Sequence, residues 1–385
     1  MMTSAFEINP TLCFTLLGSF VIYLYTRPGR LALLVTASIA VALRVVSLQV
    51  MGGLGAYYGV RWISWGAFLG IAALIVLLMQ SLVAPRSSRQ SIRRTFFAAA
   101  IFPVCGLLIG YTIPVTTWLR PKTWDAWLFA FDGSLGFQPS FLLGKLLLNR
   151  PTAWGLTTVI YYLLPFGTSA LFGAYRVHSR RPATMLPLLL SLMILGFAQY
   201  GLFPAVGPIY AFRASYPTNP PETGAIALAP MRVPDAPRNC MPSLHMAAAL
   251  VIWWNSWIWP RWGRLIAFLF LLGTVFSTLA LGEHYLADLI VAMPFALIFQ
   301  AAWTVALKFR DPARQAAFWV GLGATVTWLL LLRYCPSLFL ITPSIPWILT
   351  LATIVVCTIL QRNLGKAART GTPCLSPEYH LFAAR

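Results

Sequence analysis

Apolar runs long enough to cross a bilayer recur along the whole of this 385-residue chain. A membrane-crossing helix needs about 17–25 consecutive, mostly apolar residues. The chain is 59% hydrophobic and only 10% charged, whereas a soluble domain carries roughly a quarter charged residues. A soluble core of this length would also alternate apolar and polar faces. The expectation is therefore an all-α, polytopic membrane protein with about eleven transmembrane helices. Their places are near 11–26, 31–50, 62–83, 96–115, 153–174, 184–203, 243–259, 265–281, 285–307, 315–332 and 345–361. The first run has no basic segment before it and no small-residue cleavage site after it, so it is read as a span and not as a signal peptide.

The formal net charge of +19 would suit a nucleic-acid binder, but its distribution does not. With the N-terminus outside, the inner connections collect Arg27 and Arg30, then Arg86, Arg89, Arg93 and Arg94, then Arg176, Arg180 and Arg181, then Arg261 and Arg264. Lys308, Arg310, Arg314, Arg362, Lys366, Arg369 and Arg385 follow on the same side. Glu7, Asp125, Asp132, Glu222, Asp235, Glu283 and Asp288 fall outside. This is the positive-inside bias that orients membrane helices. It predicts a multi-pass protein of a bacterial inner (cell) membrane, with a cytoplasmic C-terminus and no nucleic-acid partner. Arg44, inside a span, is expected to snorkel or to pair. His178 and His380 fall on the inner side. The six cysteines, Cys374 among them, form no CxxC pair, so a metal site is not expected. Cys240 and Cys335 are read as free thiols in preference to a disulfide.

Two outer connections are long. The first, 116–152, holds short apolar stretches at Trp127–Phe131 and 141–148, read as interfacial or re-entrant helices. The second, 203–241, is rich in proline and glycine and reads as an ordered loop or lid.

Chemistry concentrates in two stretches. One is Arg238-Asn239-Cys240-Met241-Pro242-Ser243-Leu244-His245. The other runs from Ser277-Thr278 to Gly282-Glu283-His284-Tyr285-Leu286-Ala287-Asp288. Ionisable groups are costly near lipid and mark function by default. Pro242-Ser243 opens a helix whose N-terminus favours an anion such as phosphate, with Ser243 adding a hydroxyl. His284 and Asp288, four residues apart, share a helix face if the helix has begun by His284. The carboxylate then fixes the imidazole tautomer and leaves the other nitrogen free as a nucleophile. His284 would attack phosphorus, and His245 would protonate the leaving oxygen and then deprotonate the acceptor. Arg238 and Arg213 are the candidates, with Ser243, for holding the phosphate. No cofactor is called for. The bland alternative is a buried polar network that merely holds helix ends.

Pro-Ser-Leu-His followed by Gly-x-His-Tyr-x-x-Asp resembles the type 2 phosphatidic acid phosphatase superfamily. Trp124-Asp125, Phe131-Asp132-Gly133 and Phe203-Pro204-Ala205-Val206-Gly207-Pro208 are similar to its branch of fungal inositol phosphorylceramide synthases and bacterial relatives. The resemblance covers roughly 96–307. It implies a six-helix catalytic core in which His284 is the nucleophile, Asp288 its partner and His245 the general acid. Three features depart from the common pattern: Leu244 stands where glycine is usual, Thr278 where arginine is usual, and Lys145-x4-Arg150-Pro151 has the wrong spacing for the first motif.

The expected organisation is 1–95 as N-terminal helices without a catalytic motif, 96–310 as the catalytic core, and 311–385 as C-terminal helices with a basic tail. The expected activity is a phosphotransferase working on a phospholipid or polyprenyl phosphate donor and a lipid alcohol or water acceptor. A lipid phosphatase is the alternative, and a non-enzymatic lipid transporter a weaker one. A transporter should show inverted repeats or interrupted spans near the midplane, which the sequence does not suggest.

Overall fold

The computed structural model describes residues 10–50, 61–178 and 183–370. Glu7, Arg180, Arg181, Cys374, His380 and Arg385 lie outside the described residues. The first helices are α1 (Pro10–Leu24), α2 (Arg30–Val50), α3 (Arg61–Val83), α4 (Arg86–Leu119), α5 (Asp125–Ser134), α6 (Pro139–Leu147), α7 (Pro151–Tyr162) and α8 (Leu164–Val177). Then come α9 (Met185–Leu202), α10 (Pro208–Ala211), α11 (Leu244–Asn255), α12 (Arg261–Ala280), α13 (Leu286–Ala302), α14 (Pro312–Tyr334), α15 (Ser337–Ile341) and α16 (Ser344–Thr370). The only strands among the described residues are β1 (Lys122–Thr123) and β2 (Met231–Arg232), paired antiparallel. The protein is an all-α membrane protein.

Every one of the eleven expected segments is helical, but they are not equally long. Among the described residues seven helices are long and apolar enough to cross a membrane, or eight if α7 and α8 form one broken span. The 153–174 stretch divides at Leu163, just before Pro165, whose ring cannot continue an i→i−4 ladder. α1 and α13 are shorter apolar helices. α11 stops after twelve residues, where a 3₁₀ turn and Pro260 follow.

The described chain forms two compact units. One comprises the described residues of 10–112 with 162–178; the other comprises 113–161 with 183–370. This differs from the three-part division expected from sequence. α4 runs unbroken through residue 95, and α14 and α16 pack on α13 and on each other, not as a separate layer. In the first unit α1 packs on α3 and α8. Ser19 donates to the Ala99 carbonyl at 2.8 Å, giving a buried hydroxyl its partner. The Arg44 guanidinium lies over the Trp65 and Phe68 rings at 6.0 and 5.7 Å, so this in-span charge has aromatic partners.

In the second unit α11, α12 and α13 pack together and α9 joins α11 and α13. One apolar core links α5, the Phe203–Met241 loop, the start of α13 and α14–α15 through Phe129, Phe131, Phe203, Met241, Tyr285, Trp328 and Phe339. α5 is buried from Asp125 to Asp132. It is therefore a core helix, which goes against the interfacial one of the two alternatives expected and leaves the re-entrant one, because its aromatic side chains find protein partners. α6 packs against α12. The 203–241 loop is ordered, with α10, two 3₁₀ turns, β2 and its own small core of Val206, Val233 and Ala236.

Candidate active site

The two motifs meet within the second unit. Ser243 caps α11, its hydroxyl accepting from the Met246 N–H at 3.3 Å. His245 therefore sits in the first turn, as expected. Pro242 precedes the cap and is not the first helical residue. The Ser243 N–H donates to the Asp288 carbonyl at 3.3 Å, tying one motif to the other. The rings of His245 and His284 come to 5.9 Å between centroids, although 39 positions separate them in the chain.

The helix has not begun at His284. It starts at Leu286, and Tyr285 is its N-cap. Asp288 still reaches back, because a carboxylate in the first turn bonds the N-cap N–H. Its Oδ2 accepts from Tyr285 N at 2.8 Å and lies 3.4 Å from His284 Nδ1. With Asp288 ionised, that contact places the proton on Nδ1 and leaves the Nε2 lone pair for attack. Burial pushes the His284 imidazole down to about 3, so the ring is neutral and the contact is a hydrogen bond, not an ion pair.

The turn holding His284 is fixed from several sides. Its N–H and that of Glu283 both donate to the Thr278 carbonyl at 3.2 Å. Ser140 on α6 donates to the His284 carbonyl at 2.7 Å. Gly282 has φ +73°, and a Cβ there would lie 2.6 Å from the Tyr216 ring. A Cβ on Gly207, at φ +89°, would lie 2.4 Å from the Glu283 carbonyl oxygen. Both positions need glycine, for conformation and for close approach.

Asp125 and Asp132 are fully buried acceptors. They cap elements other than their own helix. Asp132 takes Leu286 N at 2.8 Å and Ala287 N at 3.1 Å, two of the unpaired donors that open α13. Asp125 takes Val206 N and Gly207 N at 3.2 and 3.1 Å and the Tyr285 hydroxyl at 3.0 Å. Burial nevertheless outweighs these donors, raising Asp125 to about 6 and Asp132 to about 8.

The phosphate candidates fare differently. Arg238 is fully buried, and its guanidinium donates to the carbonyls of Arg120, Ala236, Pro121 and Val233. It knots the loop to the end of α4, which contradicts the expected phosphate contact: its donors already have partners. Arg213 is exposed on the loop and donates to the Pro234 carbonyl at 2.9 Å. Lys145 and Arg150 are exposed. Leu244 packs on α9 where Gly196 leaves room; a Cβ there would lie 2.2 Å from a Leu244 methyl.

Three residues were missed in the sequence. Tyr161 on α7 stacks on His245, with centroids 3.9 Å apart and ring planes 23° apart. Ser140 is the second. The third is Cys240, a buried free thiol whose Sγ donates to Asp288 Oδ2 at 2.6 Å. Cys335 is also free. Only for Cys240 was there a signal, its place five residues before His245 in the motif itself. Cys240, His284 and Asp288 are the one group among the described residues that could ligate a metal, with donor atoms within 4.8 Å of one another.

Residues 126–302 match the family model described as the PAP2 superfamily, a stretch that includes both histidine motifs. This supports the type 2 phosphatidic acid phosphatase superfamily, and with it an enzyme acting as a lipid phosphatase or phosphotransferase. No curated protein and no solved structure matches the chain.

Proposed function

With that superfamily as premise, we propose that the protein is an integral-membrane phosphotransferase that moves a phosphoryl or phospho-headgroup between lipids through a phosphohistidine on His284. The carrying observation is the 5.9 Å pairing of His245 and His284, with Asp288 behind His284. His284 Nε2 attacks phosphorus and the bond to the leaving oxygen breaks, with His245, entering the step as the imidazolium, delivering its proton to that oxygen. Asp288 stabilises the imidazolium character that develops on His284. An acceptor hydroxyl then gives its proton to His245 as its oxygen attacks phosphorus, and the P–N bond breaks. The positive end of α11 and the polar groups around it favour the equatorial oxygens. Arg213, on the loop above the second motif, is the remaining cation for the phosphate; Arg238 holds the loop in place.

Transfer over hydrolysis is favoured by the burial of His284, which is 1% exposed, and by the ordered 203–241 loop, whose Gly207 packs on Glu283. A loop closing over the phosphoenzyme excludes water and lets an alcohol compete. The arginine bias puts this face on the non-cytoplasmic side.

The deciding experiment gives purified protein a radiolabelled phospholipid, with and without an inositol-bearing lipid, ceramide or polyprenol. A transferase moves label into a new lipid while water-soluble release falls as acceptor rises. Steady release indifferent to every acceptor identifies a phosphatase. Specific lipid binding without any turnover restores the transporter reading. Sidedness is tested separately with Asn219→Cys, exposed on the loop, in a background lacking Cys335. An impermeant thiol reagent should label it in intact cells; labelling only after lysis reverses the orientation.

A further inference from the structure

Three hydrogen-bond donors converge on one oxygen of Asp288. They are Tyr285 N at 2.8 Å, His284 Nδ1 at 3.4 Å and Cys240 Sγ at 2.6 Å, whereas Oδ1 is buried without a partner among the described residues. The histidine that Asp288 is expected to orient makes the longer of the two nitrogen contacts, so the Tyr285 N–H and the thiol set where that oxygen sits. Cys240 is fully buried, and its backbone N–H is fixed on the Ala205 carbonyl at 3.2 Å. Sγ also lies 3.3 Å from the Glu283 carbonyl, so the thiol bridges both ends of the second motif.

We propose that Cys240 is a positioning residue of the reaction: its thiol holds Asp288 Oδ2 at the distance and rotamer from which that oxygen meets His284 Nδ1 as charge develops on the imidazole. The proposal rests on the His284–Asp288 reading given above. Two physical points favour it over filler. Burial and the neighbouring carboxylates Asp288 and Asp125 push the Cys240 thiol well up, so it stays protonated and acts as a donor. A carboxylate with one oxygen bonded and the other orphaned rotates unless something pins the bonded oxygen, and one backbone N–H fixes a distance but not the plane of the group. The thiol supplies the second point of attachment, from the chain segment that also carries Ser243 and His245. One segment thus sets both halves of the catalytic pair.

The test is steady-state kinetics with the radiolabelled phospholipid on four variants, Cys240→Ala, Cys240→Ser, Asp288→Asn and Asp288→Asn with Cys240→Ala. Cys240→Ala should lower kcat about tenfold at unchanged KM, the size expected for one hydrogen bond to a charged group. Cys240→Ser, whose hydroxyl donates in the same place, should recover most of that loss. In the Asp288→Asn background Cys240→Ala should cost less than about twofold, because the partner is already altered. Lost packing alone predicts a lower melting temperature but neither recovery by serine nor dependence on Asp288. Equal losses from Cys240→Ala with and without Asp288, or serine and alanine variants equally slow, overturn the proposal. Full turnover in Asp288→Asn overturns both this proposal and the reading it rests on. An inactive Asp288→Asn beside an unaffected Cys240→Ala overturns this proposal alone.

Discussion

The two histidines of the site are held in opposite ways. His284 sits in a turn fixed by backbone and side-chain hydrogen bonds from Thr278, Ser140 and Asp288. Behind it, Asp132 and Asp125 fix the start of α13 and the Tyr285 ring. His245 is held by α11 and by one aromatic face, that of Tyr161. Directional bonds set a position to a fraction of an ångström, whereas a stacked ring slides at little cost. The difference matches the chemistry proposed for each. A nucleophile must meet phosphorus in line, while a group that gives a proton to one oxygen and takes it from another needs freedom to shift between them.

The largest expected effect breaks the rigid half. His284→Ala should remove the acid-labile phosphoenzyme and lower turnover by roughly four orders of magnitude or more, measured by acid quench and by product formation. Asp288→Asn should keep the fold and slow attack by about two to four orders. Phosphoenzyme at normal levels in His284→Ala would assign the nucleophile elsewhere.

The stacked half is probed through the leaving group. His245→Ala should cost much more on a natural lipid than on a nitrophenyl phosphate, whose leaving group needs no proton. Tyr161→Leu should show the same pattern at about a tenth of the size or less, since an aromatic pair contributes about 1 kcal/mol. Equal losses on both substrates would count against a proton-delivery role for His245 and against Tyr161 as its support.

Stability separates the halves further. Asp132→Ala should strand the Leu286 and Ala287 N–H groups and cost about 3 kcal/mol, seen as a lower melting temperature in nanodiscs. The pH dependence has a definite sign. Asp132, raised to about 8, keeps its proton when folded over a range in which the unfolded chain, at about 3.9, has lost it. The folded state then binds more protons, so stability falls as pH rises from about 4 to 8. Asp125, raised to about 6, and Glu283, raised to about 7, act in the same direction; at pH 7 Asp125 is nearly finished and Glu283 is half-way. His284, lowered to about 3, has the opposite sign and is finished near its ordinary value of about 6.5. Between pH 7 and 8 Asp132 carries most of what remains of the change in these four groups. Asp132 should contribute a loss of about 1 kcal/mol over that unit, and Asp132→Asn should show a correspondingly smaller loss. A wild-type melting temperature unchanged from pH 7 to 8 would mean that Asp132 is ionised in the fold.

The smallest effect concerns the phosphate. Arg213→Ala should raise KM about threefold with kcat little changed, as for a screened, exposed contact. A large loss of kcat instead would place Arg213 at the reacting phosphorus.

What the sequence determined by itself follows from the cost of polar groups in lipid. Long apolar runs force helices, because only a helix satisfies its own backbone there, and so the eleven segments were all legible as helix. Histidines and a carboxylate at the ends of such runs are too costly to be incidental, and so His245, His284 and Asp288 stood out. Tertiary structure alone decided the rest. Whether Arg238 met a phosphate or four carbonyls depended on how the 203–241 loop folds back on α4, which no local spacing encodes. Asp125 and Asp132, both on α5, cap segments of chain roughly 80 and 150 positions away, because buried N–H groups take the nearest acceptor in space, not in sequence. Leu244 in place of glycine looked like a departure until Gly196 appeared opposite it, since packing fixes the combined volume of two facing positions and leaves its division between them free.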